Sequence, residues 1–120
     1  MEGHVSWMVD LAVKPGKLDA FTELMEEMVA GTSTEPQTLA YEWYISEDGS
    51  TVHIYEKYAD SDATVSHFTG FLEKWAERFT GCVDVNRFVV YGDPSAGARE
   101  MLAGLSPEYL GPWGGFSRFA

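Results

Sequence analysis

The chain has 120 residues, 45% of them hydrophobic and 14% aromatic, which suits a single domain that buries roughly 65% of the surface of its extended form. Eight Lys+Arg stand against nineteen Asp+Glu, a net charge of -11, so a phosphate backbone would be repelled and nucleic acid is disfavoured as a partner. One cysteine, Cys82, cannot form an intrachain disulfide, no apolar run approaches the ~20 residues of a membrane span, and "MEGHVSW" lacks a basic leader start; together these read as a cytoplasmic protein with no membrane partner.

In chain order, His4–Val13 alternates, with Val5, Trp7, Val9, Leu11 and Val13 on one side and His4, Ser6, Met8 and Asp10 on the other. That period of two predicts a strand, and Lys14-Pro15-Gly16 ends it. Leu18, Phe21, Leu24, Met25 and Met28 then recur at helical spacing, with Gly31 as the stop. A loop over Gly31–Pro36 leads to a second alternating run, Leu39–Ile45. Asp48-Gly49 joins that run to Thr51–Tyr58 and signals a hairpin. Asp60 or Ser61 can cap a second helix with the stripe Phe68, Phe71, Leu72, Trp75 and Phe79, and Gly70 is where it could divide. A fourth strand follows Gly81. Asp93-Pro94-Ser95 predicts a short helix capped by Asp93, with Pro94 in its first position, ending near Ala103. The segment Ser106–Ala120 shows no regular pattern.

The order βαββαβ predicts an α+β, ferredoxin-like antiparallel sheet with helices on one face. Residues 1–105 read as the domain and 106–120 as a C-terminal arm or lid, because four aromatics left in water would be costly. Met8, Ala12, Ala40, Tyr44, Tyr55, Phe88 and Val90 fall on the face without helices. Such a back should be more polar. A second copy, sheet against sheet, would cover it, so a homodimer is expected.

The segment "VKPGK" closing the first strand, "EP" before the second, and "YEKYADSDATVSHF" bridging the third strand to the second helix resemble the antibiotic biosynthesis monooxygenase family. The resembling pattern is Glu56, Tyr58, the Asp60–Ala63 turn and His67. The ending "PWGGFSR" is similar to the tails of some members. The resemblance implies a dimeric α+β barrel and oxygenation that uses no flavin, metal or other cofactor. In it, a quinol or other phenol is deprotonated and its anion gives an electron directly to O₂.

The residues themselves point to one wall. Val52 and Ile54 should face the helices, and alternation carries Glu56 and Tyr58 to the same side, while His67 lies about two turns into the covering helix. Such chemistry asks for a base near neutrality, donors that steady the phenolate and a dry aromatic pocket. His67, Tyr58 and Glu56 are the candidate catalytic residues, and Trp43, Phe71, Trp75 and Arg87 the candidate substrate-binding ones. Arg87 falls in phase with Val83, Val85 and Val89, so Glu56 has two possible partners, an ion pair with Arg87 or an imidazole to orient in His67. The aromatics taken singly are also what a plain core would contain. His4 and His53 sit on the opposite side without ligand spacing, so no metal site is expected. The expected partners are a small aromatic molecule and O₂. A non-enzymatic dimeric ligand-binding module is the alternative. Haem binding or degradation is disfavoured because the first strand has no asparagine and Tyr58 stands at the family's tryptophan position.

Overall fold

The computed structural model describes residues 3–118. Its elements are β1 (Val5–Val13), α1 (Leu18–Thr32), β2 (Thr38–Ile45), β3 (Thr51–Tyr58), α2 (Ser61–Lys74), α3 (Ala76–Cys82), β4 (Val83–Tyr91), α4 (Ala96–Leu102) and β5 (Glu108–Leu110), with a 3₁₀ turn over Ala103–Leu105. The sheet order is β2-β3-β1-β4-β5. The first four strands pair antiparallel, and β5 runs parallel to β4. This is the expected ferredoxin-like arrangement with one strand added. Among the described residues no helix is long and apolar enough to cross a membrane.

Local chemistry explains why the chain turns where it does. At the β2–β3 hairpin, the Asp48 carboxylate accepts from the Ser50 hydroxyl (2.7 Å), the Ser46 hydroxyl (2.8 Å) and the Ser50 N–H (3.0 Å). Those donors, the Ser50 hydroxyl first, pull its pKa down to about 2. Gly49 takes the left-handed conformation (φ 74°) that this turn needs. Asp60 caps α2 by accepting from the Ala63 N–H at 2.8 Å.

Three local expectations need correction. The second helix divides at Trp75 and not at Gly70, which sits inside α2. The Trp75 indole packs against Gly31, where a Cβ would lie 2.8 Å from Cη2 and Cζ2. Capping of α4 falls to Ser95, whose hydroxyl accepts from the Ala98 N–H at 3.2 Å, while Asp93 pairs with Arg99. The C-terminal segment is not wholly irregular, since Glu108–Leu110 completes the sheet as β5. The last two residues of the predicted arm, 119 and 120, lie outside the described residues, as do residues 1 and 2 of the predicted domain.

A bulge in β4 has the largest consequence. Leu11 pairs with Val85 but Asp10 pairs with Arg87, so Asn86 is an extra residue and the side-chain parity flips. Phe88 and Val90 therefore turn inward, where they are 3% and 0% exposed, and Arg87 and Val89 turn to the back of the sheet. The back keeps its apolar character, with Met8, Ala12, Ala40, Tyr44, Tyr55, Val89 and Tyr91.

The interior forms two clusters. One gathers Leu11, Phe21, Leu24, Met28, Ile54, Trp75 and Phe79; the other gathers Val5, Trp7, Tyr58, Phe68, Phe88 and Leu102. Val9 and Phe71 touch both. The seam between the clusters is not filled.

Candidate active site

A cavity of about 90 Å³ occupies that seam. Trp7, Val9, Phe68, Phe71, Phe79 and Phe88 make much of its wall, and among the described residues the ionisable side chains on it are Tyr41, Glu56 and His67. Hydrophobic surroundings concentrate the chemistry at these three groups.

Alternation along β3 places Glu56 and Tyr58 beside Val52 and Ile54 on the interior face, as the sequence predicts. Glu56 is 6% exposed and Tyr58 fully buried. The Tyr58 hydroxyl donates to Glu56 Oε1. From α2, His67 (5% exposed) brings Nε2 to 3.4 Å from the same oxygen. Its other nitrogen, Nδ1, lies 2.9 Å from Glu35 Oε1. Glu35 sits in the α1–β2 loop, held by its own N–H donating to Thr32 O (2.9 Å) and by its carbonyl accepting from the Thr38 N–H (3.2 Å). The Thr38 hydroxyl also donates to Glu35 Oε1, at 2.8 Å. The chain Thr38–Glu35–His67–Glu56–Tyr58 is thus continuous across three elements.

Proton positions follow from this network. Burial alone would lower the His67 pKa; the hydrogen bond and charge of Glu56, and then those of Glu35, outweigh it and hold the pKa above 6.5. Both carboxylates are acceptors, so an imidazolium satisfies both at once, and moving its Nε2 proton to Glu56 gives the neutral alternative. Burial, reinforced by the Glu56 charge, drives Tyr58 well above its ordinary value and keeps it a neutral donor. Tyr41 is likewise raised by burial and then by Glu56. The pair Glu56–His67 can therefore take up or release a proton inside an otherwise apolar space.

The predicted residues separate into two groups. Glu56, His67 and Phe71 line the cavity. Tyr58 stands behind it, and its hydroxyl is committed to Glu56 rather than offered to a phenolate. Trp43 and Trp75 pack in the neighbouring core cluster, Trp43 against Phe21 (5.6 Å) and Tyr41 (5.9 Å), with Trp75 beneath Gly31. Arg87 is no partner of Glu56: the bulge turns it outward, where Nε and Nη2 donate to the Glu108 carboxylate at 2.7 and 3.2 Å. Of the two partners left open for Glu56, the structure selects His67.

Sequence reasoning missed Glu35 and Tyr41. Tyr41 was readable, since it shares the phase of Trp43 in β2 and pairs in register with Glu56. Glu35 carried no periodic signal, because it lies in a loop. Among the described residues no group of three His, Cys, Asp or Glu side chains could hold a metal ion.

The family model described as antibiotic biosynthesis monooxygenase matches residues 5–70, more than half of the chain. No curated protein matches it. Among solved structures, MupZ from Pseudomonas fluorescens superposes with a TM-score of 0.85 at 24% identity, covering 97% of this chain and 95% of its own. SnoaB from Streptomyces nogalater, a cofactor-independent oxygenase, gives 0.65 at 14% identity over 78% of this chain and 96% of its own. Rv0793 from Mycobacterium tuberculosis gives 0.57 at 21% identity over 77% and 96%. At these identities the likeness is one of fold.

Proposed function

The chain belongs to the antibiotic biosynthesis monooxygenase family, and on that footing we propose that it is a cofactor-independent monooxygenase of a small aromatic quinol or polyphenol. The observation that carries the reading is a buried carboxylate–imidazole pair opening onto an aromatic-lined cavity. An oxygenase of this kind needs a group that removes a phenolic or benzylic proton where water does not compete. Glu56, with His67 against it and Tyr58 fixing its position, is that group. Glu35 holds the far nitrogen of the ring.

In the proposed reaction the phenolate, rich in electron density at an ortho or para ring carbon that bears hydrogen, passes one electron to O₂. The carbon radical and superoxide combine to a hydroperoxide, and loss of water leaves a carbonyl. One oxygen atom ends in the product and the other in water, with all electrons supplied by the substrate. His67, as imidazolium, is placed to stabilise the developing peroxide charge and to return the proton that leaves with water.

The proposed assembly is a homodimer joined through the apolar back of the sheet, in which the 106–120 arm takes part. A non-enzymatic binding module remains the second reading because the same cavity would take part of an aromatic ligand, the rest projecting from it, without turnover. Oxygen uptake with a panel of hydroquinones separates the two. The proposal expects consumption that falls at least ~100-fold in Glu56→Gln and His67→Ala, the scale of general acid–base assistance. Equal rates in the native protein and both variants would leave only the binding role.

A further inference from the structure

The cavity is smaller than the space that encloses one benzene ring, about 150 Å³, so no substituted ring fits wholly inside its 90 Å³. Immediately beside it is a second hollow of about 350 Å³. The two share Val85, Phe88 and Leu105 as common wall. What differs is the chemistry beyond that wall: Asn86, Arg87, Ser106 and Glu108 line the outer hollow, whereas the inner one is apolar apart from its acid–base groups.

The fold builds this outer hollow deliberately from two irregularities. The β4 bulge at Asn86 interrupts the sheet there, and β5 pairs with Val89–Tyr91, leaving the bulged stretch, among the described residues, without a strand neighbour on that side. Facing it, Ser106 adopts the left-handed conformation (φ 50°, ψ 55°), which costs a non-glycine residue free energy. That turn sets Leu105 against the cavity and starts β5 at Glu108.

We propose that the outer hollow is a second substrate subsite, adjoining the cavity at the shared wall of Val85, Phe88 and Leu105, and that the substrate is an aromatic ring carrying an uncharged, oxygenated side chain. This rests on the oxygenase reading for the ring and adds the chain. The charges at this site favour an uncharged chain. Arg87 and Glu108 form a two-bond ion pair in which donor and acceptor are both present and the charges cancel. A net charge of -11 further disfavours an anionic chain. Hydroxyl or carbonyl oxygens can accept from the remaining Arg87 N–H groups or from Asn86, and hydroxyls can donate to Glu108. Leu105, packed against the second core cluster, is the threshold between ring and chain.

Calorimetric titration without turnover tests this, with methylhydroquinone as the ring alone and a hydroquinone bearing a dihydroxypropyl chain as the extended probe. The extended probe should bind about tenfold more tightly, the worth of one hydrogen bond to a charged group. In Arg87→Met/Glu108→Met, which removes the pair without changing net charge, the gain should fall below about twofold while methylhydroquinone affinity stays unchanged. A carboxyethyl-hydroquinone should gain less than the neutral chain. Equal binding of the two neutral probes, absence of binding by both, or a gain that survives the double substitution would overturn the subsite. If the preference holds but neither probe consumes O₂, the subsite stands and the oxygenase reading falls.

Discussion

Replacing Tyr58 with Phe removes one oxygen atom from a fully buried ring. The ring keeps its packing against Trp7 at 4.8 Å and beside His67 at 5.3 Å, so no cavity opens. What is lost is the hydrogen bond to Glu56, a residue 6% exposed whose carboxylate has, among the described residues, His67 as its other partner. A hydrogen bond to a charged group contributes about 1.5–3 kcal/mol, which for a domain of this size corresponds to a fall in Tm of roughly 5–12 °C. Equilibrium urea unfolding at pH 7 and fixed protomer concentration measures it. The same substitution made in Glu56→Gln, where the acceptor is neutral, should cost only about 1 kcal/mol. The difference between the two backgrounds isolates the charge-assisted part. A loss below ~0.5 kcal/mol, or equal losses in both backgrounds, would refute the account of Glu56 as a carboxylate held by Tyr58.

Three further outcomes follow from the structure. Because the folded pKa of His67 is raised, its protonation adds stability that is complete below about pH 6.5 and disappears as pH climbs through the folded value; the stability advantage over His67→Gln should therefore shrink between pH 6 and pH 9, and a constant or growing advantage contradicts the pairing. Gly31→Ala should destabilise by up to about 2 kcal/mol, since an overpacking cost of about 1–3 kcal/mol against Trp75 exceeds the ~1 kcal/mol helix gain, and a higher Tm would show that the indole moves aside. Deleting Ser106–Ala120 strips β5 from β4 and removes the exposed Trp113 and Phe116; sedimentation equilibrium should show weaker self-association, and an unchanged association constant together with unchanged ligand affinity would remove both proposed roles of the arm.

Much of this architecture was readable because two physical periods dominate the chain. Alternation in β1 and β3 is unbroken, so the inward positions of Trp7, Leu11, Ile54, Glu56 and Tyr58 follow by parity alone. The same rule fails in β4, where the single extra residue Asn86 reverses every side chain after it and exchanges Arg87 for Phe88. Nothing in "VDVNRFVVY" marks the bulge locally; it shows only in the register between β1 and β4. Glu35 was hidden for a different reason, since a loop side chain is placed by where its ends are anchored. Here those ends are Thr32 and Thr38. Trp43 and Trp75 show the converse, aromatics on the correct face whose side chains are not part of the cavity wall. Short β5 has three residues and no alternation long enough to read.

The central claim is that this acid–base pair drives direct reaction of a phenolate with O₂. Isotopic oxygenation tests it most directly: dialysed, chelator-treated protein, a hydroquinone substrate with an unsubstituted ring position, and ¹⁸O₂. The account predicts a carbonyl product carrying one ¹⁸O atom, formed by the native protein and not by Glu56→Gln. A product without label, a product with two labelled atoms, or equal labelling by the variant would contradict it.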